Sequence, residues 1–275
     1  MAKGATATLA LWLASAASSQ TAPVPAIRAP AIVRATPALW EVRDADTTIY
    51  LFGTFHTLDG RTVWFDDKVR DAFDSSGELV LETVVPADMG AARAAAQDQV
   101  TEISAKTGKR TLKPFIASTQ SVVSEGRSLG MSVQHGADTV LRRVAEDVGK
   151  PVLGLEAFEE QLKTLSNIPA PQAAAAAAPA SPAPAVTVTL NDLLTAWTNG
   201  DTGAFSTMLA GFEAKSPVAY RMLIADRNAR WGQWIVNRLD QPGIVFVAVG
   251  TGHLAGKDSV QSWLAARRVT ATRVG

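Results

Sequence analysis

Two short stretches of this sequence place a histidine in the same local setting. The chain has three histidines, and two of them close the stretches Gly53-Thr54-Phe55-His56 and Gly250-Thr251-Gly252-His253. Each stretch follows an apolar run, residues 48–52 and 244–249, that is typical of a buried strand. Neutral imidazole is a common metal ligand, so the repetition predicts that His56 and His253 bind one metal ion. Taken singly, each histidine could instead be a loop residue bonded to the backbone.

Two further apolar runs lead to a glutamate. Residues 79–81 precede Glu82, and residues 152–155 precede Glu156. Ligands of α/β sheets bind outside the carboxyl ends of the strands, so we expect both glutamates and both histidines at one sheet edge. Imidazole and carboxylate ligands suit Mn, Fe, Co or Zn. The sequence therefore predicts a divalent metal site, although Glu156 could instead be a charge at the N-terminus of the following helix.

Arg227 interrupts an apolar helix face. The apolar residues of the predicted helix 217–239 recur with a period near 3.6, and Arg227 takes the position between Ile224 and Trp231 in that stripe. A buried charge is costly unless it is paired. The pattern predicts an arginine that faces an anionic site, or else one whose stem packs while its head reaches solvent.

The elements that must position these side chains alternate between strands and helices. The runs 38–43 and 48–52 flank Asp44-Ala45-Asp46, which predicts an N-terminal β-hairpin. The alternation predicts an α/β (α+β) fold with a central mixed, largely parallel sheet covered by helices. Helices are expected at 66–73, 86–106, 118–129, 137–148, 190–198, 204–212, 217–239 and 259–266, and further strands at 78–85, 151–155, 244–249 and 269–274.

Composition excludes several classes of site and partner. Acidic and basic residues number 26 each, so the formal net charge is zero, and a nucleic-acid partner would need a basic patch. The chain has no cysteine, which excludes disulfides, thiolate nucleophiles and thiolate metal ligands. We expect a peptide or small-molecule substrate and no nucleic acid; the oligomeric state is left open.

The N-terminus has the pattern of an export signal. A short basic start, a weakly apolar run over 5–17 and small residues up to Ser19 predict a signal peptide over 1–20, and the run is too short for the ~20 residues that span a bilayer. The other interpretation is a disordered Ala-rich tail. We expect a linker over 21–37, one domain over 38–275 with an Ala/Pro-rich insert at 169–185, and a periplasmic or secreted protein.

The paired Gly-x-x-His stretches resemble the TraB/GumN family, which is similar to the Tiki metalloproteases and more distantly to erythromycin esterase and ChaN-like haem-binding proteins. The resemblance extends from about residue 38 to the C-terminus. It implies His56, Glu82, Arg227 and His253 as site residues and Mn or Co as the metal. The matching stretches are 39–42, 50–56, 81–82, 155–156, Trp197, 200–201, 227–228 and 249–254.

These observations predict a metal-dependent hydrolase, most simply a peptidase. His56 and His253 would bind the metal, Glu82 would be a ligand or the general base, and Arg227 would stabilise a developing oxyanion. Glu156 would be a ligand or would support one. A non-catalytic carrier of haem or another small ligand outside the cytoplasm is the alternative. A third possibility is a scaffold that offers Trp231 and Trp234 to a protein partner.

Overall fold

The computed structural model describes residues 32–65, 67–86, 124–168 and 188–274. The predicted signal peptide, the Ala/Pro-rich insert and nearly all of the predicted helix 86–106 lie outside these residues. Ile32–Gly275 form one compact unit.

A mixed six-stranded sheet organises the unit. Its order is β6-β5-β7-β3-β2-β8, and β6, β5, β7 and β3 run parallel while β2 pairs antiparallel with both β3 and β8. The predicted mixed, largely parallel sheet is therefore confirmed. A separate parallel pair joins β1 to β4. The strands are β1 (Val33–Arg34), β2 (Leu39–Arg43), β3 (Thr47–Thr54), β4 (Thr62–Val63), β5 (Glu78–Leu81), β6 (Val152–Gly154), β7 (Gly243–Gly250) and β8 (Ala271–Arg273).

Helices surround this sheet, as the alternating pattern predicted. One helical turn lies at 124–128, and short 3-10 turns lie at Val133–His135 and Thr251–Leu254. The α-helices are α1 (Asp67–Ser75), α2 (Ala137–Asp147), α3 (Phe158–Ser166), α4 (Leu190–Thr198), α5 (Gly203–Lys215), α6 (Pro217–Tyr220), α7 (Asp226–Leu239) and α8 (Val260–Ala265).

The central strand β3 shows why the sheet is buried on both faces. Phe52 points into one hydrophobic cluster, whereas Ile49 and Leu51 point into the other, as the two-residue period of a strand requires. All three are at most 1% exposed. Burial of each such side chain contributes about 1.5–3 kcal/mol, so the hydrophobic effect holds β3, and with it the start of the Gly53–His56 stretch, at the centre of the sheet.

Several boundaries differ from the sequence prediction, and the strand expected at 78–85 ends at Leu81. We expected a linker up to Pro37, but Val33–Arg34 form β1 and Ala35 is fully buried. Regular structure therefore begins before Ala38, because even a short pairing with β4 satisfies backbone groups in this stretch. We also expected one regular helix over 217–239, but Arg221–Ala225 form a π-helical segment between α6 and α7.

No helix among the residues described here is both long and apolar enough to cross a membrane.

Candidate functional site

The carboxyl ends of four parallel strands lie side by side. Thr54 of β3 pairs with Gly250 of β7, and Leu81 of β5 pairs with Ala248. The parallel pairing continues one residue or more past the carboxyl ends of β5 and β6. There the amide of Glu156 donates a hydrogen bond to the carbonyl of Glu82 at 3.0 Å. The backbone register thus brings Glu156, Glu82 and the two histidine stretches to one edge of the sheet, as the sequence predicted.

Arg227 lies at the centre of this edge. Its Nη2 donates to Oε2 of Glu82 at 2.8 Å and also to Oε1 of Glu156. Its Cζ lies 4.6 Å from the centre of the Trp231 ring. The side chain is only 8% exposed, so the alternative of a solvent-reaching arginine is wrong. Two carboxylates neutralise a buried guanidinium, which is the pairing that burial of a charge demands.

Asn228 orients the ring of His253. The Asn228 Nδ2 donates to the carbonyl oxygens of His253 and Asp258, so its Oδ1 is the atom that faces Nδ1 of His253 at 2.6 Å. An amide oxygen only accepts, so Nδ1 must carry the proton and Nε2 keeps its lone pair. That lone pair faces Nη1 of Arg227 at 3.3 Å and lies 3.8 Å from Oε1 of Glu82.

Asp138 holds the ring of His56 in a similar way. Its Oδ1 lies 3.1 Å from Nδ1 of His56, and Asp138 belongs to the first turn of α2. The His56 side chain remains 59% exposed. Desolvation of the ring lowers its pKa, but the hydrogen bond and charge of Asp138, helped by Glu82, outweigh this and raise the pKa to about 9. His56 is therefore a cation near pH 7 in this arrangement.

The pKa values of His253 and Glu82 shift in the opposite direction. Burial lowers the pKa of His253 to about 4 despite the nearby Glu82, so its ring is neutral near pH 7. Burial would raise the pKa of Glu82, yet the surrounding positive charges and the amide of Gly250 lower it to about 2. Because His253 is neutral near pH 7, Arg227 and His56 are the cations that stabilise the Glu82 carboxylate there.

Both motifs need glycine for close approach and not for an unusual backbone angle. A Cβ on Gly250 would lie 3.1 Å from both Oε1 of Glu82 and Nε2 of His56, and one on Gly53 would lie 2.8 Å from Oγ1 of Thr251. Neither glycine has a positive φ. A Cβ on Gly252 would meet nothing within 4 Å. Side chains at Gly53 and Gly250 would therefore displace the groups of the site.

A cavity of about 540 Å³ opens directly onto these residues. His56, Glu82, Arg227 and His253 are the titratable residues of its lining. The remaining wall is largely apolar and comes from α4, α5 and the π-helical segment. It includes Leu190, Leu193, Phe205, Met208, Leu209 and Ile224.

The donor atoms fit a divalent metal in part. Each histidine has its Nδ1 held by an oxygen, of Asp138 or Asn228, which is how proteins fix metal-binding imidazoles. The Nε2 atoms both face the Glu82 side of the cavity. In the described parts of the chain, however, no group of three or more His, Asp, Glu or Cys side chains is arranged to hold a metal. Nη1 of Arg227 faces the lone pair on Nε2 of His253. A metal bound to that nitrogen would therefore require Nη1 of Arg227 to move aside.

The Glu156 carboxylate is paired with arginine side chains. Its Oε1 accepts from Arg227, and its buried Oε2 has no hydrogen bond. Arg230 lies 3.6 Å from that second oxygen. The contacts describe a carboxylate that holds Arg227, and a role for Glu156 as a metal ligand stays a prediction.

The sequence reasoning missed Asp138 and Asn228. Asp138 looks like an ordinary acidic residue of a first helical turn, so no local signal marks it. Asn228 directly follows Arg227, and this position next to the predicted site arginine is the only feature of the sequence that could have indicated its role. His135, the third histidine, is exposed.

Of the two tryptophans expected to offer a surface to a partner, Trp231 is buried and Trp234 is partly buried. Trp231 is 1% exposed, and its ring centre lies 4.4 Å from that of His253. Trp231 therefore supports the candidate site from inside the protein and is not available to a partner.

Comparisons with known proteins agree with the motif pattern. The family model described as the TraB/PrgY/gumN family matches residues 38–121 and 93–273. Uncharacterized protein YbaP of Escherichia coli (strain K12) is 24% identical over 176 residues, which cover 61% of this chain and 65% of that protein. The protein of the same name from Shigella flexneri matches with the same values. The chain thus spans about two-thirds of the length of these relatives, and no solved structure matches it significantly.

Proposed function

The chain belongs to the TraB/PrgY/gumN family, and from this premise we propose that it is a metal-dependent hydrolase that cleaves peptides. The metal ligands would be His56 and His253 through Nε2, and Glu82 through Oε1. A divalent metal would supply a bound water of lowered pKa and would polarise the scissile carbonyl. Mn or Co follows from the resemblance to the Tiki metalloproteases, and the imidazole and carboxylate donors also suit Zn or Fe.

The protein residues have distinct parts in this proposal. Asp138 and Asn228 hold the two imidazoles so that each Nε2 faces the cavity. Arg227 keeps Glu82 in position through Nη2, and we assign its Nη1 to the carbonyl oxygen of the substrate, where charge develops. Glu156 accepts a hydrogen bond from the same Nη2 and so also holds Arg227. The apolar wall of the cavity excludes water, which strengthens these electrostatic interactions.

One observation carries the proposal. Both histidines of the paired stretches have Nδ1 bound to an oxygen and line the cavity beside Glu82. Nε2 of His253 lies 3.8 Å from Oε1 of Glu82, and a Cβ on Gly250 would lie 3.1 Å from both that oxygen and Nε2 of His56. A histidine that merely stabilised a loop would need only one satisfied nitrogen and no shared partner. Convergence on Glu82 from two strands is what a shared ligand would require.

Elemental analysis tests the metal directly. Purified wild-type protein, equilibrated with Mn²⁺ or Co²⁺ and then dialysed, should retain close to one metal per chain. The His56→Ala/His253→Ala double variant should retain almost none. His135→Ala is the matched control because His135 is the third histidine and is exposed, and it should behave like wild type.

A peptide library then tests the reaction. Wild-type protein with metal should cleave some peptides, and the double histidine variant should not. A correctly folded wild-type protein that binds neither Mn²⁺, Co²⁺, Zn²⁺ nor Fe²⁺ above the level of the double variant would falsify the proposal.

The apolar cavity favours a second candidate, a carrier of haem or another small ligand. A largely apolar cavity with a few convergent polar groups is also what a small-ligand site requires. Titration with haem should then give a Soret band that disappears in the double histidine variant, without cleavage of any peptide. For either activity we propose a periplasmic or secreted location, on the basis of the signal-like N-terminus.

A further inference from the structure

We propose that the cavity selects substrates by an apolar side chain next to the bond that is cleaved. This inference rests on the proposed hydrolase function, and it assigns the specificity to Leu193, Met208 and Ile224. The occupant would be an aromatic or branched aliphatic side chain of a peptide.

The division of the cavity into a charged floor and an apolar wall is the first argument. Among the described lining residues, the titratable groups are His56, Glu82, Arg227 and His253, and all of them belong to the candidate site. Leu190, Leu193 and Met208 face the same space from α4 and α5. A ligand that places a polar atom on the charged floor must also place another part against the apolar wall. That part should be apolar, because a polar group there would lose its hydration without gaining a hydrogen bond.

The size of the cavity is the second argument. An apolar cavity of roughly 150 Å³ accommodates a benzene molecule, and this cavity measures about 540 Å³. It can therefore take an aromatic side chain together with the adjoining peptide group. A Gly or Ala side chain would leave most of the apolar wall without contacts, so such peptides would gain little binding energy from it.

The exposure of the wall residues is the third argument. Leu193, Met208 and Ile224 are only partly buried, whereas Phe205 and Leu209 behind them are buried. The outer three come from three different segments, α4, α5 and the π-helical segment, so the shared cavity is the feature that unites them. Apolar side chains that remain partly exposed around one concave site favour the binding of an apolar group, which would remove them from water.

A neutral apolar dye tests the cavity without requiring catalysis. N-phenyl-1-naphthylamine should bind the full-length protein saturably with a rise in fluorescence. Met208→Lys and Leu193→Lys should each weaken binding by at least about ten-fold, because each places a charge in the apolar wall, whereas Met208→Leu should bind like wild type. Val148→Lys is the control, since Val148 is 66% exposed and lies outside the cavity. Circular dichroism establishes that each variant is folded.

Blocked pentapeptides that differ only at the central residue test the specificity. With metal present, kcat/KM should be about ten-fold or more higher for central Phe or Leu than for Ser or Glu, and Met208→Lys should abolish this preference. Cleavage that is indifferent to the central residue, or dye binding that is equal in wild type and both lysine variants, overturns the inference while the hydrolase proposal stands. If the protein binds no metal and cleaves no peptide, but both lysine variants still lose dye binding, then the hydrolase proposal is overturned. The apolar binding site in the cavity would stand.

Discussion

Asn228 fixes the tautomer of His253. Both protons of the Asn228 amide are directed at carbonyl oxygens, so its oxygen faces Nδ1 of His253 at 2.6 Å. The relationship joins a helix to the end of a strand, and it leaves the lone pair on Nε2 of His253 inside the site, where it faces Nη1 of Arg227.

Replacement of Asn228 should therefore change the chemistry of His253. In Asn228→Leu we expect loss of metal affinity by about 10–100-fold, the usual effect of removing a residue that orients a ligand. Side-chain ¹⁵N NMR should show the Nδ1-protonated tautomer of His253 in wild type and a mixture in the variant. Asn237→Leu, on the exposed face of α7 with one hydrogen bond to Gln233, is the control. An unchanged tautomer in Asn228→Leu would contradict this assignment.

Arg227 should be essential for stability because it separates two buried carboxylates. Arg227→Met leaves Glu82 and Glu156 without their shared cation, so we expect the free energy of unfolding to fall by about 3–5 kcal/mol. Chemical denaturation measures this loss. The added change Glu156→Gln should recover part of it, because one unpaired charge is then removed.

Arg230 offers the matched control for that experiment. It is 54% exposed and lies 3.6 Å from the buried Glu156 without a hydrogen bond to it, so its charge stays largely solvated and we expect the contact to contribute only about 0–1 kcal/mol. Arg230→Met should therefore change stability little. Equal losses in the Arg227 and Arg230 variants would show that the buried pairing is not what stabilises this edge.

The Asp138–His56 contact predicts a specific pH dependence in the metal-free protein. A pKa raised to about 9 means that the folded state binds the proton more tightly than the unfolded chain, whose histidine pKa is near 6.5. The stabilisation is thus fully present below about pH 6.5 and is lost as the pH rises through about 9.

Asp138→Asn should remove this dependence. Its stability should fall below that of wild type under about pH 6.5 and approach it above pH 9, and NMR titration should show a lowered pKa for His56. Asp147→Asn, at the exposed C-terminal end of the same helix, serves as the control. A His56 pKa that does not move in Asp138→Asn is the outcome that refutes the contact.

The two glycines of the second motif should respond differently to one added methyl group. Gly250→Ala places a Cβ 3.1 Å from both Glu82 and His56, so metal affinity and cleavage should fall by at least about ten-fold. Gly252→Ala meets no atom within 4 Å and should retain both. Isothermal titration with Mn²⁺ compares the two variants, and equal binding would show that the close approach at Gly250 is unimportant.

The fold could be predicted well from local patterns. Apolar runs predicted the hairpin and the strands that lead to His56, Glu82, Glu156 and His253. In the inner parallel strands, burial on both faces selects continuous apolar sequence, whereas β6 is a short edge strand with exposed residues. The irregularities could not be predicted in this way. The π-helical segment Arg221–Ala225 leaves the apolar period nearly unchanged, and the pairing of β1 with β4 depends on a partner distant in sequence.

The sequence by itself determined which strand-end side chains reach one edge of the sheet, since the carboxyl ends of parallel strands must meet there. Only the tertiary structure decided what each side chain contacts. Asp138 lies 82 positions from His56, and Arg227 lies 71 positions from Glu156. Such contacts depend on how whole helices pack against the sheet, and no local spacing encodes them. The physical reason is that hydrophobic packing places the helices, and the polar contacts then form between whichever side chains this packing brings together.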